Sequence, residues 1–261
     1  MKFSIITVVK NGISNIGLTI KSVKKQSFKD YEHLILDGNS IDGTSEYIKK
    51  RLNKKITYFR ENDRGLYDAI NKSFKKVKGE YLIILHSGDF FFSRDSLKNL
   101  SVFIDKNNKY DFYFSNILFY NKKKNSITRI WKVPEKKAYK LNFLKIAHTS
   151  LCIKRYVSKK LLYDDRLKIS ADTVYMHQLC KTFKGKYFDK FLIYMDDTGL
   201  SNSNDFFLLK FREDFKFLFK EFHFFSPFIL IYKILIKIPG LIKNKKKYDK
   251  AYFNEIRKLI K

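Results

Sequence analysis

Apolar positions along the first hundred residues fall into short continuous runs separated by stretches of helical periodicity. Phe3–Val9 is nearly all apolar and rich in β-branched residues, the pattern of a strand buried on both faces. Ile16, Ile20 and Val23 then recur at helical spacing within 13–26. The same alternation continues with a strand at 31–36, turn residues Asp37-Gly38-Asn39-Ser40, and a helix over 43–52 with Asp42 as its N-cap. A strand at 56–59, a helix at 66–77 with Ile70, Phe74 and Val77 on one side, and a strand at 81–85 follow. Such alternation predicts an α/β fold, a mostly parallel sheet covered by helices and joined by right-handed crossovers. Further on, 111–119 and 127–133 read as strands, and 151–160 and 172–183 as two short helices or a helix and a strand. No repeat of 20–50 residues is visible.

The 261 residues are 44% hydrophobic and 17% aromatic, enough for a substantial core and unlike a disordered chain. Lys and Arg outnumber Asp and Glu by 54 to 26, a net charge of +28, which points to polyanions: nucleic acid, an anionic membrane surface or phosphorylated substrates. A genome rich in AT codons would supply the same Lys, Asn, Ile, Phe and Tyr, and the charge is spread along the whole chain. Two cysteines, Cys152 and Cys180, exclude a disulfide scaffold and a cysteine-based zinc cluster and read as reduced, buried thiols. The first nine residues read as a strand and not as a signal peptide, so the expected location is inside the cell.

In open α/β sheets the ligand sits beyond the carboxyl ends of the strands. The segments in that position here are Thr7-Val8-Val9-Lys10-Asn11, Asp37-Gly38, Glu61-Asn62-Asp63-Arg64 and His86-Ser87-Gly88-Asp89. All four are polar and three carry a carboxylate. Turn stabilisation or helix capping is the alternative for each one singly, and it weakens for the four together. The sequence lacks both G-x-G-x-x-G and the P-loop pattern. A phosphate ligand would then be held through Mg²⁺ or Mn²⁺, which takes one or two carboxylates and completes its shell with water and phosphate oxygens. Asp89, leaving a strand at a Ser-Gly turn, suits that role.

The stretches SIITVVKN, YEHLILDGNSIDGT, ENDRGLYDAINKSFKKVKGEYLIILHSGD and AHTSLCIKR…YDDRLKISADTVYMHQL, followed by DTGLS, span residues 3–202. As an ordered set they resemble family 2 glycosyltransferases of the GT-A fold, in the bacterial subgroup that builds surface polysaccharides and lipopolysaccharide. The resemblance implies a Rossmann-like mixed sheet and an inverting transfer from a nucleotide-diphosphate sugar. It places Thr7 and Val9 in the loop that holds the nucleoside, and makes Asp37 the acceptor for the ring N–H of the base, which favours uracil. Asp63 and Arg64 fall near the donor, Asp68 and Asn71 in the Tyr-Asp-Ala-x-Asn helix, and Ser87 and His148 beside the donor or acceptor. Asp89 matches the last aspartate of the metal-binding motif and Asp172 the catalytic base. The sequence departs from the family at His86 and Gly88, where Asp or Asn and Asp are common, and at Ala171, where Glu is usual. Asp164 or Asp165 is the alternative base. For His177 a structural role is expected, and Trp131 would stack on a sugar or fill the core.

From residue 206 the composition shifts to Phe, Leu, Ile and Lys, which predicts a catalytic domain over 1–204 and a basic, amphipathic helical extension over 205–261. The run 224–242 nearly spans a bilayer, yet Lys233 and Lys237 lie within it and Pro227 and Pro239 interrupt its ends. An interfacial helix accommodates these lysines, and Lys243, Lys245, Lys246 and Lys247 would meet anionic headgroups. Packing on the domain or on a second subunit is the alternative. The partners expected are a nucleotide sugar, a glycan or lipid-linked acceptor and the cytoplasmic face of the inner membrane. A nucleic-acid-binding protein would explain the charge but not the carboxylates, and no nucleic-acid motif is present. A non-catalytic nucleotide-sugar-binding relative is the third reading.

Overall fold

The computed structural model describes residues 1–133, 143–198, 207–235 and 245–260. Its scaffold is a nine-stranded mixed sheet. Strands β1 (Phe3–Val9), β2 (Tyr31–Asp37), β3 (Ile56–Arg60) and β4 (Tyr81–Ile84) form a parallel half in the order β3-β2-β1-β4. Helices α1 (Ile13–Lys24), α2 (Thr44–Lys49) and α3 (Leu66–Phe74) make the crossovers. Every residue of β1 and β2 is buried, which is why β1 and the middle of β2 show apolar runs without alternation, and why Glu32, His33 and Asp37 of β2 are buried polar groups. Cap geometry at α2 departs from expectation. Gly43, in the left-handed region at φ 91°, occupies the N-cap. Asp42 sits one position earlier, accepts from the Thr44 N–H at 3.1 Å, and uses its other oxygen on the Ile13 N–H at 3.0 Å.

The second half comprises β5 (Phe90–Phe91), α4 (Ser96–Lys106), β6 (Phe112–Asn121), β7 (Ser126–Trp131), β8 (Leu151–Lys154), α5 (Arg155–Lys160), α6 (Ala171–Thr182) and β9 (Gly185–Asp196). The sheet continues β4-β8-β6-β9-β5, with β7 paired to β6. Pairing β4–β8, β8–β6, β6–β7 and β9–β5 is antiparallel while β6–β9 is parallel, so antiparallel pairing is confined to this half. The antiparallel step matters for the site. Because β8 runs opposite to β4, with Ile83 beside Cys152, the residues entering β8 lie at the edge where β4 exits.

The chain ends in α7 (Phe207–Phe222), α8 (Ser226–Leu235) and α9 (Lys245–Ile260). Leu218 of α7 and Leu230 of α8 are buried in the same core as Ile6, Leu82 and Tyr175. Tyr252 and Leu259 of α9 pack with Phe90, Tyr120 and Tyr194. Helices α7, α8 and α9 therefore pack on the sheet and on the helices that cover it. Lys233, expected among headgroups, is instead buried, donating to Asp214 Oδ2 and Thr173 Oγ1, each at 2.7 Å. It faces inward because Asp214 on the neighbouring helix supplies the counter-charge that a buried ammonium requires. The domain boundary at 204/205, Lys237, Pro239 and Lys243 lie outside the described residues. Both cysteines are buried thiols, as expected.

Candidate active site

Three groups of side chains gather along the carboxyl edge of the parallel half. The first surrounds Asp37 at the end of β2. One carboxylate oxygen accepts the Ser40 N–H at 2.8 Å; the other accepts the hydroxyls of Ser45 and of Tyr58, the latter at 2.8 Å. Burial alone would raise the Asp37 pKa, but these donors outweigh it and hold it below the usual carboxylate range. Asp63 reaches over the following residue. A Cβ at Gly38 would lie 2.1 Å from Asp63 Oδ2, so only glycine admits this approach. Asp63 also accepts the Gly65 N–H at 3.0 Å.

Other residues expected at the donor serve the scaffold beneath it. Thr7 and Val9 lie in β1, not in a loop. The Thr7 hydroxyl donates to the Leu85 carbonyl at 2.7 Å, which leaves its oxygen to accept from His33 Nε2 at 2.9 Å. That assigns the His33 proton to Nε2, and its Nδ1 is buried without a partner. Burial pushes His33 down to about 3. Val9 ends the strand beside Asp37 and accepts the Gly38 N–H at 2.9 Å. Asp68 in the first turn of α3 accepts the N–H of Arg64, ahead of the helix, at 2.9 Å and pairs with Lys72 at 2.8 Å. The Arg64 guanidinium pairs with Asp165 and, at 3.5 Å, with Asp68. Asn71 clamps the Tyr163 backbone, accepting its N–H at 2.9 Å and donating to its carbonyl at 2.8 Å.

The second group is at the β4 exit. Asp89 is 3% exposed. Its Oδ1 accepts the Asp196 N–H at 3.0 Å, while its Oδ2 is buried without a partner, as is the Ser87 hydroxyl. The β5–β9 pairing brings this turn against the end of β9, where the Asp196 carboxylate sits 3.3 Å from where a Gly88 Cβ would be. Burial first, and the Asp196 charge in addition, raise the Asp89 pKa well above the carboxylate range. An orphaned carboxylate oxygen facing a second carboxylate is a donor set that a divalent cation would satisfy. Among the described residues no three histidine, cysteine or acidic side chains gather for a metal, so a cation here would draw its other ligands from water and substrate.

The third group joins His86, His148 and Asp172. His86 leaves β4, His148 lies in the turn entering the antiparallel β8, and their Nε2 atoms are 2.9 Å apart. His148 Nδ1 in turn lies 3.5 Å from Asp172 Oδ2. Asp172 sits in the first turn of α6, and its Oδ1 accepts the Thr173 N–H at 2.7 Å. Burial would raise its pKa, yet the His148 imidazole and the positive charges of Lys233 and Lys210 prevail and keep the carboxylate ionised. His86 is buried and stays neutral, pushed down to about 3 by desolvation and by His148. The segment before α6 is tied down from α7. Glu213 accepts the N–H groups of Lys168, Ile169 and Ser170 at 2.9, 3.1 and 2.9 Å. His177 packs among Phe143, Phe217 and Phe222, away from this chain of groups.

Sequence reasoning took His86 as a departure from the motif with a supporting place behind it, and gave no role to Glu213, Asp196, Lys210 or Arg129. The first was legible only through the β4–β8 register; the others lie 38 or more residues from Asp172 or Asp89 in sequence and meet them only through the fold.

A mixed sheet of this order, with carboxylates at the β1–β4 edge, defines a GT-A-type transferase fold. Residues 4–164 match the family described as "Glycosyl transferase family 2". The chain belongs to that family. Among curated proteins it is 26% identical over 119 residues to a PGL/p-HBAD biosynthesis glycosyltransferase of Mycobacterium tuberculosis, covering 44% of this chain and 46% of that protein. It is 36% identical over 121 residues to an uncharacterized glycosyltransferase of Rickettsia conorii, covering 46% and 19%. The chain thus spans about half the length of the mycobacterial relative. Among solved structures, S. aureus TarS 1–349 in complex with UDP-GlcNAc matches with a TM-score of 0.65 at 21% identity, over 75% of this chain and 58% of that one. The mannosyltransferase PcManGT from Pyrobaculum calidifontis in complex with GDP-Man and Mn²⁺ matches with a TM-score of 0.56 at 15% identity, over 74% and 56%.

Proposed function

We propose that this chain transfers a sugar from a nucleotide-diphosphate sugar, a UDP-sugar, to a hydroxyl of a glycan or lipid-linked acceptor with inversion at the anomeric carbon. The observation that carries the reading is the ionised Asp172, held against His148 at the sheet edge where Asp37, Asp63 and Asp89 end the donor-side strands. Asp37 and Asp63 would receive the nucleoside. Asp172 would take the proton of the acceptor hydroxyl as that oxygen attacks, and His148 would orient the carboxylate. His86, neutral, fixes the His148 ring through the contact between their Nε2 atoms. Asp89, with Asp196 beside it, would hold Mn²⁺ or Mg²⁺. Such a cation supplies positive charge to the departing diphosphate.

Calorimetric titration with UDP, first with Mn²⁺ and then with chelator, tests the donor site. Binding is expected only with the cation, and no binding in either condition refutes the uridine and metal assignments. Asp172→Asn is expected to keep UDP affinity and lower turnover by about a thousandfold, within the range of general-base catalysis. Near-normal turnover would refute the base assignment.

We propose further that the outer face of α7 and α8 rests on an anionic membrane, at the cytoplasmic face of the inner membrane. Phe211, Phe215 and Phe219 form an exposed stripe at helical spacing. It continues in Phe224, 90% exposed, and in Phe225, Phe228, Ile231 and Leu235. Among the described residues no helix is long and apolar enough to cross a membrane. The stripe, interleaved with exposed Lys216 and Lys220, suits an interfacial position. Flotation with vesicles containing phosphatidylglycerol should recover the protein, and Phe224→Ser with Phe228→Ser should abolish recovery. Equal recovery of wild type and variant would refute the surface.

A further inference from the structure

Beyond Asp172 a cleft opens between β7, α7 and α8, and Arg129, Lys210, Phe119 and Trp131 line it together with His148 and Asp172. We infer that this cleft is an anion subsite in which Arg129 and Lys210 receive a phosphate or carboxylate carried by the acceptor close to its reacting hydroxyl. The inference rests on the transferase reading above and adds to it a class of acceptor.

Arg129 carries most of the argument. Its guanidinium stacks on the Phe119 ring at 3.6 Å and lies 5.4 Å from the Trp131 ring, which fixes the plane of the fork. Its Nε is shielded from solvent without an acceptor, and among the described residues it forms no ion pair within 4.0 Å. Burial pushes Arg129 down to about 10, so it stays charged at neutral pH. The Asp197 charge favours the guanidinium from farther away, no carboxylate among the described residues closes on its fork, and a stacked guanidinium is preorganised for two parallel bonds to a planar or tetrahedral oxyanion. Lys210, whose charge also favours the ionised Asp172, is a second cation lining this cleft, with no ion pair among the described residues. Lys233 also lines it but is committed to Asp214 and Thr173. Among the described residues lining the cleft Asp172 is the one carboxylate, against Arg129, Lys210 and Lys233.

The position assigns the anion to the acceptor. Strand order runs β3-β2-β1-β4-β8-β6 with β7 beyond β6, so the cleft is on the far side of the His86–His148 pair from Asp37 and Asp63. A hydroxyl delivering its proton to Asp172 from that side brings its own substituents against Arg129. Phe119 and Trp131, both buried, back the guanidinium and close the floor of the cleft.

The test uses the full chain saturated with UDP and Mn²⁺, titrated with inorganic phosphate by calorimetry. Wild type should bind phosphate at millimolar concentrations without releasing UDP. Arg129→Gln should weaken phosphate about tenfold, Lys210→Gln should weaken it several-fold, and Arg129→Lys should retain much of it, with UDP affinity unchanged in all three. Near-UV circular dichroism reports that each variant is folded. Absent phosphate binding in wild type, equal binding by Arg129→Gln, or displacement of UDP by phosphate would each overturn the subsite. A parallel arm compares UDP-glucuronate with UDP-glucose. If Arg129→Gln weakens only the former, the anion belongs to the donor sugar and the acceptor assignment falls. Failure of UDP to bind wild type would strike the donor reading alone, since phosphate would still report on Arg129.

Discussion

Replacing Glu213 by alanine would remove a single carboxylate that holds three consecutive backbone N–H groups ahead of α6. The Lys168 N–H is at the surface and water would replace its bond, whereas the Ile169 and Ser170 N–H groups are partly buried. Charged hydrogen bonds are worth ~1.5–3 kcal/mol each, and buried donors left unpaired cost ~1–3 kcal/mol. Two such donors put the loss at about 2–6 kcal/mol. For a chain of this size that corresponds to a fall in Tm of roughly 4–24 °C if it is expressed globally, at ~2–4 °C per kcal/mol. The loss should be largely local, because the tied segment leads directly into the turn that carries Asp172. Amide exchange at 168–173 should accelerate more than exchange in β1 or β2. Turnover should fall by about ten- to a hundredfold while donor KM stays constant, since Asp172 is misplaced and Asp37 is not. Glu213→Gln, which keeps one acceptor oxygen, should fall between. Unchanged exchange at 168–173 together with unchanged turnover in Glu213→Ala would refute the tie.

Two further outcomes follow from buried groups. His33 titrates near 6.5 when unfolded and about 3 when folded, so the unfolded state binds the proton first. Stability is full above about pH 6.5 and is lost as pH falls toward about 3, at up to ~1.4 kcal/mol per pH unit. His86 adds a slope of the same sign. Urea denaturation of His33→Gln between about pH 6 and 4 should show a slope shallower by ~1.4 kcal/mol per unit than wild type; parallel slopes would refute the assignment. Gly38→Ala would drive a methyl to 2.1 Å from Asp63 Oδ2 and displace that carboxylate. UDP affinity should fall at least severalfold in calorimetry with a small change in Tm, and unchanged affinity would exclude Asp63 from the donor site.

The parallel half was legible because each of its segments obeys a single period. β1 and the Leu34–Leu36 stretch of β2 are nearly continuous apolar runs, α3 is one-sided, and polar residues mark the exits. The second half obeys no such rule. β9 mixes Lys186, Asp189 and Lys190 with Phe188 and Ile193, and its register with β6 shifts twice, so no two-residue alternation survives. β5 is too short to carry a pattern, and α4 was not seen in the sequence. At the site, the carboxylates were legible as strand exits but their partners were not. Lys233 looks like a headgroup cation until Asp214 is found beside it, and Asp42 looks like a cap until Gly43 takes the left-handed position. His86 acquires a partner only once β8 is known to run against β4.

The dependence of Asp172 on α7 has a consequence for how members of this family compare. The family match ends at residue 164, before Asp172, and Glu213, Lys210 and Lys233 all lie beyond it. Two chains aligned over that span are compared on the half that ends in Asp37, Asp63 and Asp89. The cleft is divided by that limit: Phe119, Arg129, Trp131 and His148 lie inside the matched span, while Asp172, Lys210 and Lys233 lie beyond it. A comparison over the matched span therefore weighs the strand-end carboxylates and leaves out both Asp172 and the α7 carboxylate that braces the segment before it. Excising residues 1–204 as a minimal unit would cut along the same seam. It would remove the carboxylate that braces the turn before α6 and uncover the apolar surfaces that Leu218, Leu230 and Tyr252 now close.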